Sequence, residues 1–165
     1  MTAALNRVDT LLMHNAATIA DRPHLILPDG AKQTYGATFD RARRIAAAIV
    51  GAGIQRGDRV LVFCGNSNEL VELYCACSLA ETICVPVNTL TTARELVNTA
   101  ADCAPTAAFI QAQFFDRLSP PFLQHDLRLK VSIGDSAPEG WTPYDALIER
   151  TAPIAGPKSL DPEDP

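Results

Sequence analysis

The stretch with the best claim to chemistry is Gly65-Asn66-Ser67-Asn68-Glu69, where an apolar run gives way to a helical pattern. A strand end followed by a helix start presents free backbone N–H groups and a helix dipole, the arrangement that holds phosphate. A nucleotide loop needs several glycines so that the backbone can approach the phosphates, and this one has a single glycine. Glu69 would add negative charge to the first turn, against an anion. Asn66-x-x-Glu69 reads better as a capping box. Ser67 stands where a nucleophile elbow places its serine, but the second glycine of Gly-x-Ser-x-Gly is missing. The carboxylates Asp9, Asp21, Asp29, Asp40, Asp58, Glu69, Glu72, Glu81 and Glu95 fall mostly at turn, cap or exposed-helix positions, and no two form a readable acid–base couple. His14, His24 and His125 show no partner pattern.

The five cysteines (Cys64, Cys75, Cys77, Cys84 and Cys103) include no Cys-x-x-Cys pair. Each sits among apolar residues, so they read as reduced, buried small hydrophobes of a cytoplasmic chain. With neither paired cysteines nor a histidine cluster, no metal-ligand set emerges.

The elements that must position these residues follow from periodicity. Val8, Leu11, Leu12, Ala16 and Ile19 recur at helical spacing over residues 8–20. Two short runs around Pro28-Asp29-Gly30 predict a hairpin. Thr34 is placed to cap a helix over residues 36–52, with Phe39, Ala42, Ala46, Ile49 and Val50 as its apolar stripe and Gly51 and Gly53 as its stop. Strand and helix then alternate. Strands are predicted at Arg59 to Cys64, Ile83 to Val85 and Ala107 to Ile110. Helices are predicted from Asn66 to about Leu79 and from the Thr92-x-x-Glu95 capping box to about Cys103. Such βαβ units imply a parallel sheet with helices on both faces, an α/β fold. Beyond residue 112 the pattern gives a short helix at Gln113 to Leu118 broken by Pro120-Pro121, a strand at Leu127 to Ile133 and a short helix at Tyr144 to Arg150. The domain is expected to span residues 1–151. Residues 152–165, with Pro153, Pro157, Pro162 and Pro165, read as a linker or tail.

Composition excludes several classes of function. The chain has 165 residues and a net charge of -5, and its basic residues are scattered, so no nucleic-acid surface is expected. Arg41, Arg43 and Arg44 read as the solvated face of one helix. No apolar run is long enough to span a bilayer.

One run of motifs carries more than composition does. Thr34-Tyr35 and a helix ending at Gly51-Ala52-Gly53 lead to Gly57-Asp58-Arg59-Val60. A strand then runs into Asn66-Ser67, and a helix leads to Val85-Pro86-Val87-Asn88 and Thr92-x-x-Glu95-Leu96. In order and spacing this resembles the N-terminal region of the adenylate-forming superfamily, which includes acyl- and aryl-CoA ligases, luciferase-like enzymes and nonribosomal adenylation domains. Two positions depart from that pattern. Glu81 stands where the family has glycine, which would cost on the order of 1 kcal/mol if φ is positive there. Ala37 stands where an acidic residue often completes a capping box.

The resemblance implies the N-terminal subdomain of an ATP-dependent carboxylic acid–CoA ligase, with ATP, Mg²⁺ and coenzyme A belonging to the intact enzyme. The family's Ser/Thr/Gly-rich loop ending Pro-Lys-Gly, its ribose-binding acid and its catalytic lysine have no counterpart here. Pro157-Lys158 lacks the preceding Ser/Thr/Gly run, and the sequence given ends about where that loop would follow. On this reading the chain holds no catalytic and no cofactor-binding residue, Asn88 is the one substrate-lining candidate, and the chain alone is inactive. Its expected partners are the rest of the adenylating enzyme, or a second copy against an exposed apolar face. A noncatalytic binding or assembly module derived from the family, or an unrelated α/β domain binding a small ligand, are the other readings the sequence leaves open.

Overall fold

The computed structural model describes residues 7–27 and 29–155. Helix α1 (Val8–Thr18) leads into an antiparallel hairpin of β1 (Pro23–Ile26) and β2 (Lys32–Thr34), with Leu25 opposite Gln33. The reversal is set by Asp29, whose carboxylate accepts the Ala31 N–H at 2.9 Å. Thr34 then caps α2 (Tyr35–Gly51), its hydroxyl accepting the Ala37 N–H at 3.2 Å. With alanine at position 37, no side chain returns the second half of a capping box. Past the end of α2, Gly53 takes a φ of 75°, a left-handed conformation that glycine adopts at no steric cost.

Strands and helices then alternate. They are β3 (Arg59–Phe63), α3 (Asn68–Leu79), β4 (Ile83–Pro86), α4 (Ala93–Cys103) and β5 (Ala107–Gln111), then a 3-10 turn (Ala112–Arg117), α5 (Pro120–Leu123), β6 (Leu129–Ile133), β7 (Thr142–Pro143) and α6 (Tyr144–Arg150). The five strands from β3 to β7 form one sheet in the order β4-β3-β5-β6-β7, and every pair in it is parallel.

Alternation along β3 explains how both faces are buried. Val60 and Val62 join a cluster with Leu12 of α1, Ile45 and Ile49 of α2, Leu73 of α3 and Leu147 of α6. Leu61 and Phe63 point the other way, into a cluster with Leu96 of α4, Ile110, Phe114 and Phe122. A strand covered on both sides carries a continuous apolar run, as this one does. The α/β fold with helices on both faces, preceded by a helix and a hairpin, is therefore as the sequence predicts.

Four details differ from the sequence reading. Helix α3 opens one residue later than the Asn66-x-x-Glu69 box requires. Ser67 occupies the cap position and makes no side-chain capping bond, while Asn66 is exposed. Pro120-Pro121 opens α5 rather than ending a helix, because proline at the first helical positions gives up no hydrogen bond. Strand β7 is two residues long, too short to leave a periodic trace. The supposed linker is ordered at its start: Ile154 N–H donates to the Arg43 carbonyl at 3.4 Å, and Ile154 packs on the core. The remaining linker residues, 156–165, lie outside the described residues.

Glu81 has a φ of 59°, the left-handed conformation that makes glycine the economical residue there. The reason is local. The Glu81 N–H reaches back to Ser78 and its carbonyl accepts the Gly57 N–H at 2.9 Å, so the turn from α3 into β4 must fold tightly over the entry to β3.

Candidate functional site

In an open parallel sheet, ligands bind beyond the carboxyl ends of the strands, at the point where strand order reverses. Here that point lies between β3 and β5, and a side chain bridges it. Gln111, at the end of β5, accepts the Gly65 N–H at 2.9 Å and the Gln113 side-chain amide at 3.4 Å through its Oε1. The one glycine N–H of the candidate phosphate loop is thus already bonded. Ser67 Oγ is buried with no hydrogen-bond partner among the described residues, so none of these stands as a base beside it.

Beside this bridge a cleft of about 360 Å³ opens between the ends of β3 and β4. Asn66, Tyr74, Asn88 and Thr89 bring polar groups to it, with Cys64 and Gly65 at its back. Asn88 is exposed, and its side chain shapes the loop: Oδ1 accepts the Leu90 N–H at 2.8 Å, and its carbonyl accepts the Thr91 N–H at 2.9 Å. The same loop is tied down by Arg117, which donates to the carbonyls of Thr89 (2.5 Å) and Thr91 (3.1 Å) and lies over the rings of Phe114 and Phe63. Asn88 therefore has the loop-holding role that its residue type suggests.

A second, larger cleft of about 450 Å³ lies under the hairpin, between Lys32, Gln33, Arg41, Asn68, Glu69 and Asp145. It adjoins a buried polar centre that the sequence reading missed. Glu72 is wholly buried in α3. Its Oε1 accepts from Gln33 Nε2 at 2.7 Å and from Arg41 Nε at 2.8 Å, and its Oε2 accepts the Tyr144 hydroxyl at 2.7 Å. Arg41 also reaches Asp145 at 2.8 Å, and Gln33 also donates to Thr38 Oγ1 at 3.1 Å. Four elements thus meet on one carboxylate. Burial, then the neighbouring charge of Glu72, raises the Tyr144 phenol well above its ordinary range. Burial alone would lower the Arg41 pKa, but its bonds to Asp145 and Glu72 outweigh that and raise it.

Glu72 and Asp9 were expected at exposed or capping positions, and both are fully buried. Asp9 takes a bidentate contact from Arg7, at 3.1 and 2.6 Å. The arginines read as a solvated face are tie points instead. Arg43 donates to the Ile154 carbonyl, and Arg44 binds Asp40 at 2.7 Å and the Thr151 carbonyl at 3.0 Å. One signal was present: Glu72 interrupts the apolar run Leu70-Val71-Glu72-Leu73-Tyr74 on a helix whose neighbour carries Arg41. No group of three or more potential metal ligands gathers among the described residues.

A family model described as AMP-binding enzyme matches residues 12–165. The chain belongs to that family. Relatives of the chain include 4-coumarate–CoA ligase 3 of Arabidopsis thaliana, 26% identical over 140 residues covering 84% of the chain and 24% of that protein. Another is 4-coumarate–CoA ligase 2 of Solanum tuberosum, 29% identical over 153 residues covering 91% and 27%. The chain thus spans about a quarter of the length of these relatives. Among solved structures, a benzoate CoA ligase from Burkholderia xenovorans LB400 superposes with a TM-score of 0.83 at 21% identity, over 96% of this chain and 31% of that one. An anthranilate CoA ligase in complex with anthranoyl-AMP does so with a TM-score of 0.89, also at 21% identity, over 96% and 30%. At those identities the likeness is one of fold, and it covers the sheet, its helices and the hairpin together.

Proposed function

We propose that this chain is the N-terminal scaffold portion of an ATP-dependent carboxylic acid–CoA ligase and is inactive by itself. The carrying observation is the family match over residues 12–165, set against a sequence with no Ser/Thr/Gly-rich loop ending in Pro-Lys-Gly. In the whole enzyme a carboxylate attacks the α-phosphorus of Mg²⁺-bound ATP and expels pyrophosphate. The thiol of coenzyme A then takes the acyl group and releases AMP. Stabilising charge on the phosphoryl groups is the main work in such chemistry. The Gly65 N–H, already bonded to Gln111 across the switch point, supports a scaffold role for this part of the fold. ATP, Mg²⁺ and coenzyme A would be held by the rest of the enzyme. The cleft bordered by Asn88 would form one wall of the acyl pocket, Asn88 acting through the loop it holds.

Pyrophosphate exchange into ATP, run on the 165-residue chain with a panel of carboxylic acids, is expected to stay at the buffer level. Robust exchange overturns the reading. The partner surface is tested separately. Large apolar side chains lie exposed at Val8, Leu11, Ile26, Val50, Tyr74, Leu90 and Leu123. With its larger neighbour absent, the chain is expected to self-associate in sedimentation equilibrium across a concentration series. A monomer at every concentration, with no binding of a hydrophobic dye, favours a noncatalytic module that stands alone.

A further inference from the structure

An asparagine side-chain amide and the backbone nitrogen of the next residue can close a five-membered ring. Closure is fastest where neither group is held by a hydrogen bond, where the backbone is outside helix and strand, and where the next side chain is small. Asn66-Ser67, in the bend between β3 and α3, meets all of these conditions. Asn66 is exposed, and neither its amide nor the Ser67 N–H has a hydrogen-bond partner among the described residues. Ser67 itself is extended, with a φ of -148° and a ψ of 172°. The rival steps are each held. Asn15 and Asn98 lie inside α1 and α4, where the next N–H is spent on the helix ladder. Asn68 is the first residue of α3, its amide donates to Gln33 Oε1 at 3.4 Å, and the larger Glu69 follows it. Asn88 Oδ1 accepts the Leu90 N–H at 2.8 Å, and the branched Thr89 comes next. Asp29-Gly30 is the least hindered step in the sequence, yet both of its reacting groups are occupied. The Asp29 carboxylate accepts the Ala31 N–H, and the Gly30 N–H donates to the Leu27 carbonyl, each at 2.9 Å.

We propose that Asn66 is the site of spontaneous modification in this folded chain, converting to aspartate and isoaspartate through a succinimide. Hydroxide takes the Ser67 N–H proton, and the freed nitrogen attacks Cγ of Asn66. The Cγ–Nδ2 bond breaks, and Nδ2 takes up a proton and leaves as ammonia. Water then opens the ring at either carbonyl. Opening at the main-chain carbonyl leaves isoaspartate, with one extra carbon in the backbone, and opening at the side-chain carbonyl leaves aspartate. One water is consumed, one ammonia is released, and nothing is oxidised. The new carboxylate stands on the cleft that Asn66 shares with Tyr74, Asn88 and Thr89. It also precedes α3, whose N-terminal dipole favours negative charge, so the fold accommodates the product. On the ligase reading, that charge would oppose the entry of a carboxylic acid into the cleft.

The test uses the 165-residue chain, since the modification itself is independent of the ligase reading. The chain is held at mildly alkaline pH, one sample folded and one in urea, until Asn66 has converted in urea. Peptide mass spectrometry reads, at each asparagine, the mass gain of an amide becoming an acid. In the folded sample that gain is expected at Asn66 several-fold faster than at any other asparagine, as two acid forms that chromatography separates. In urea the lead of Asn66 should shrink and Asp29-Gly30 should begin to isomerise, because its two hydrogen bonds are lost. Asn66→Gln lengthens the side chain so that the ring would need six members, and it should leave the folded chain without a new acidic form over the same period. Two outcomes overturn the proposal. One is a different asparagine converting first in the folded sample, including Asn6, which lies outside the described residues. The other is Asn66 staying intact in the folded sample after it has converted in urea.

Discussion

Glu72 ties three other elements to α3 through one buried carboxylate. A carboxylate in an apolar helix face is tolerated because every approach to it carries a donor: Gln33 from the hairpin, Arg41 from α2 and Tyr144 from α6. Removing one donor leaves a charged acceptor short of a partner, which costs more than the bond contributes when made. Tyr144→Phe is expected to lower unfolding free energy by about 1–3 kcal/mol. Arg41→Met also removes the compensating charge and should cost more, about 3 kcal/mol or above. Urea titrations of the two variants check this through midpoint shifts at unchanged slope. If Arg41→Met proves the milder, solvent and not Arg41 is compensating Glu72.

The helix starts differ in how they are held, and the difference is measurable. At α2 the Thr34 hydroxyl takes a backbone N–H, whereas at α3 the Ser67 hydroxyl is buried and bonds to nothing described. Thr34→Ala should cost about 1 kcal/mol. Ser67→Ala removes a desolvated polar atom without removing a bond, so thermal unfolding should stay level or rise. Equal losses at the two sites would mean that Ser67 does cap its helix. The long periodic elements were legible in the sequence, as was the Thr92/Glu95 capping box, in which both reciprocal bonds form. Such features depend on contacts a few residues apart. The start of α3, the two-residue β7 and the proline-led α5 were not legible: an Asn66/Glu69 box and a Ser67 cap look alike in sequence, two residues leave no period, and Pro-Pro can open a helix as well as end one.

Across the whole molecule, buried weak acids set the alkaline limit of stability. Burial, and after it nearby carboxylates, pushes the Cys64 and Cys75 thiols up to about 12 from an ordinary value of 9.0. Burial and Glu72 raise Tyr144 in the same way. In each case the folded state keeps a proton that the unfolded chain gives up at lower pH. The unfolded state therefore binds fewer protons above pH 9, and the unfolding free energy falls as pH rises. Stability should be level below about pH 8 with respect to these groups and decline from about pH 9 upward. Urea midpoints taken between pH 7 and pH 11 read the slope. A flat profile would mean that these groups titrate alike in the folded and unfolded chain.

Residue order by itself determined the α/β class, the hairpin, the helix and strand succession and the likeness to adenylate-forming enzymes, because periodicity, glycine stops and caps act over short separations. The likeness to that family also pointed to Glu81, which stands where the family has glycine, and the structure gives it a φ of 59°. Only the tertiary structure decided that Glu72 is a buried hub, that Arg41, Arg43 and Arg44 are ties and not a solvated face, and that Gln111 bridges the switch point. Each of those results brings together groups 31 to 111 residues apart in sequence. A charged residue on a helix looks the same in sequence whether it meets water or a partner, and the packing of α2, α3 and α6 around one carboxylate is what makes the difference.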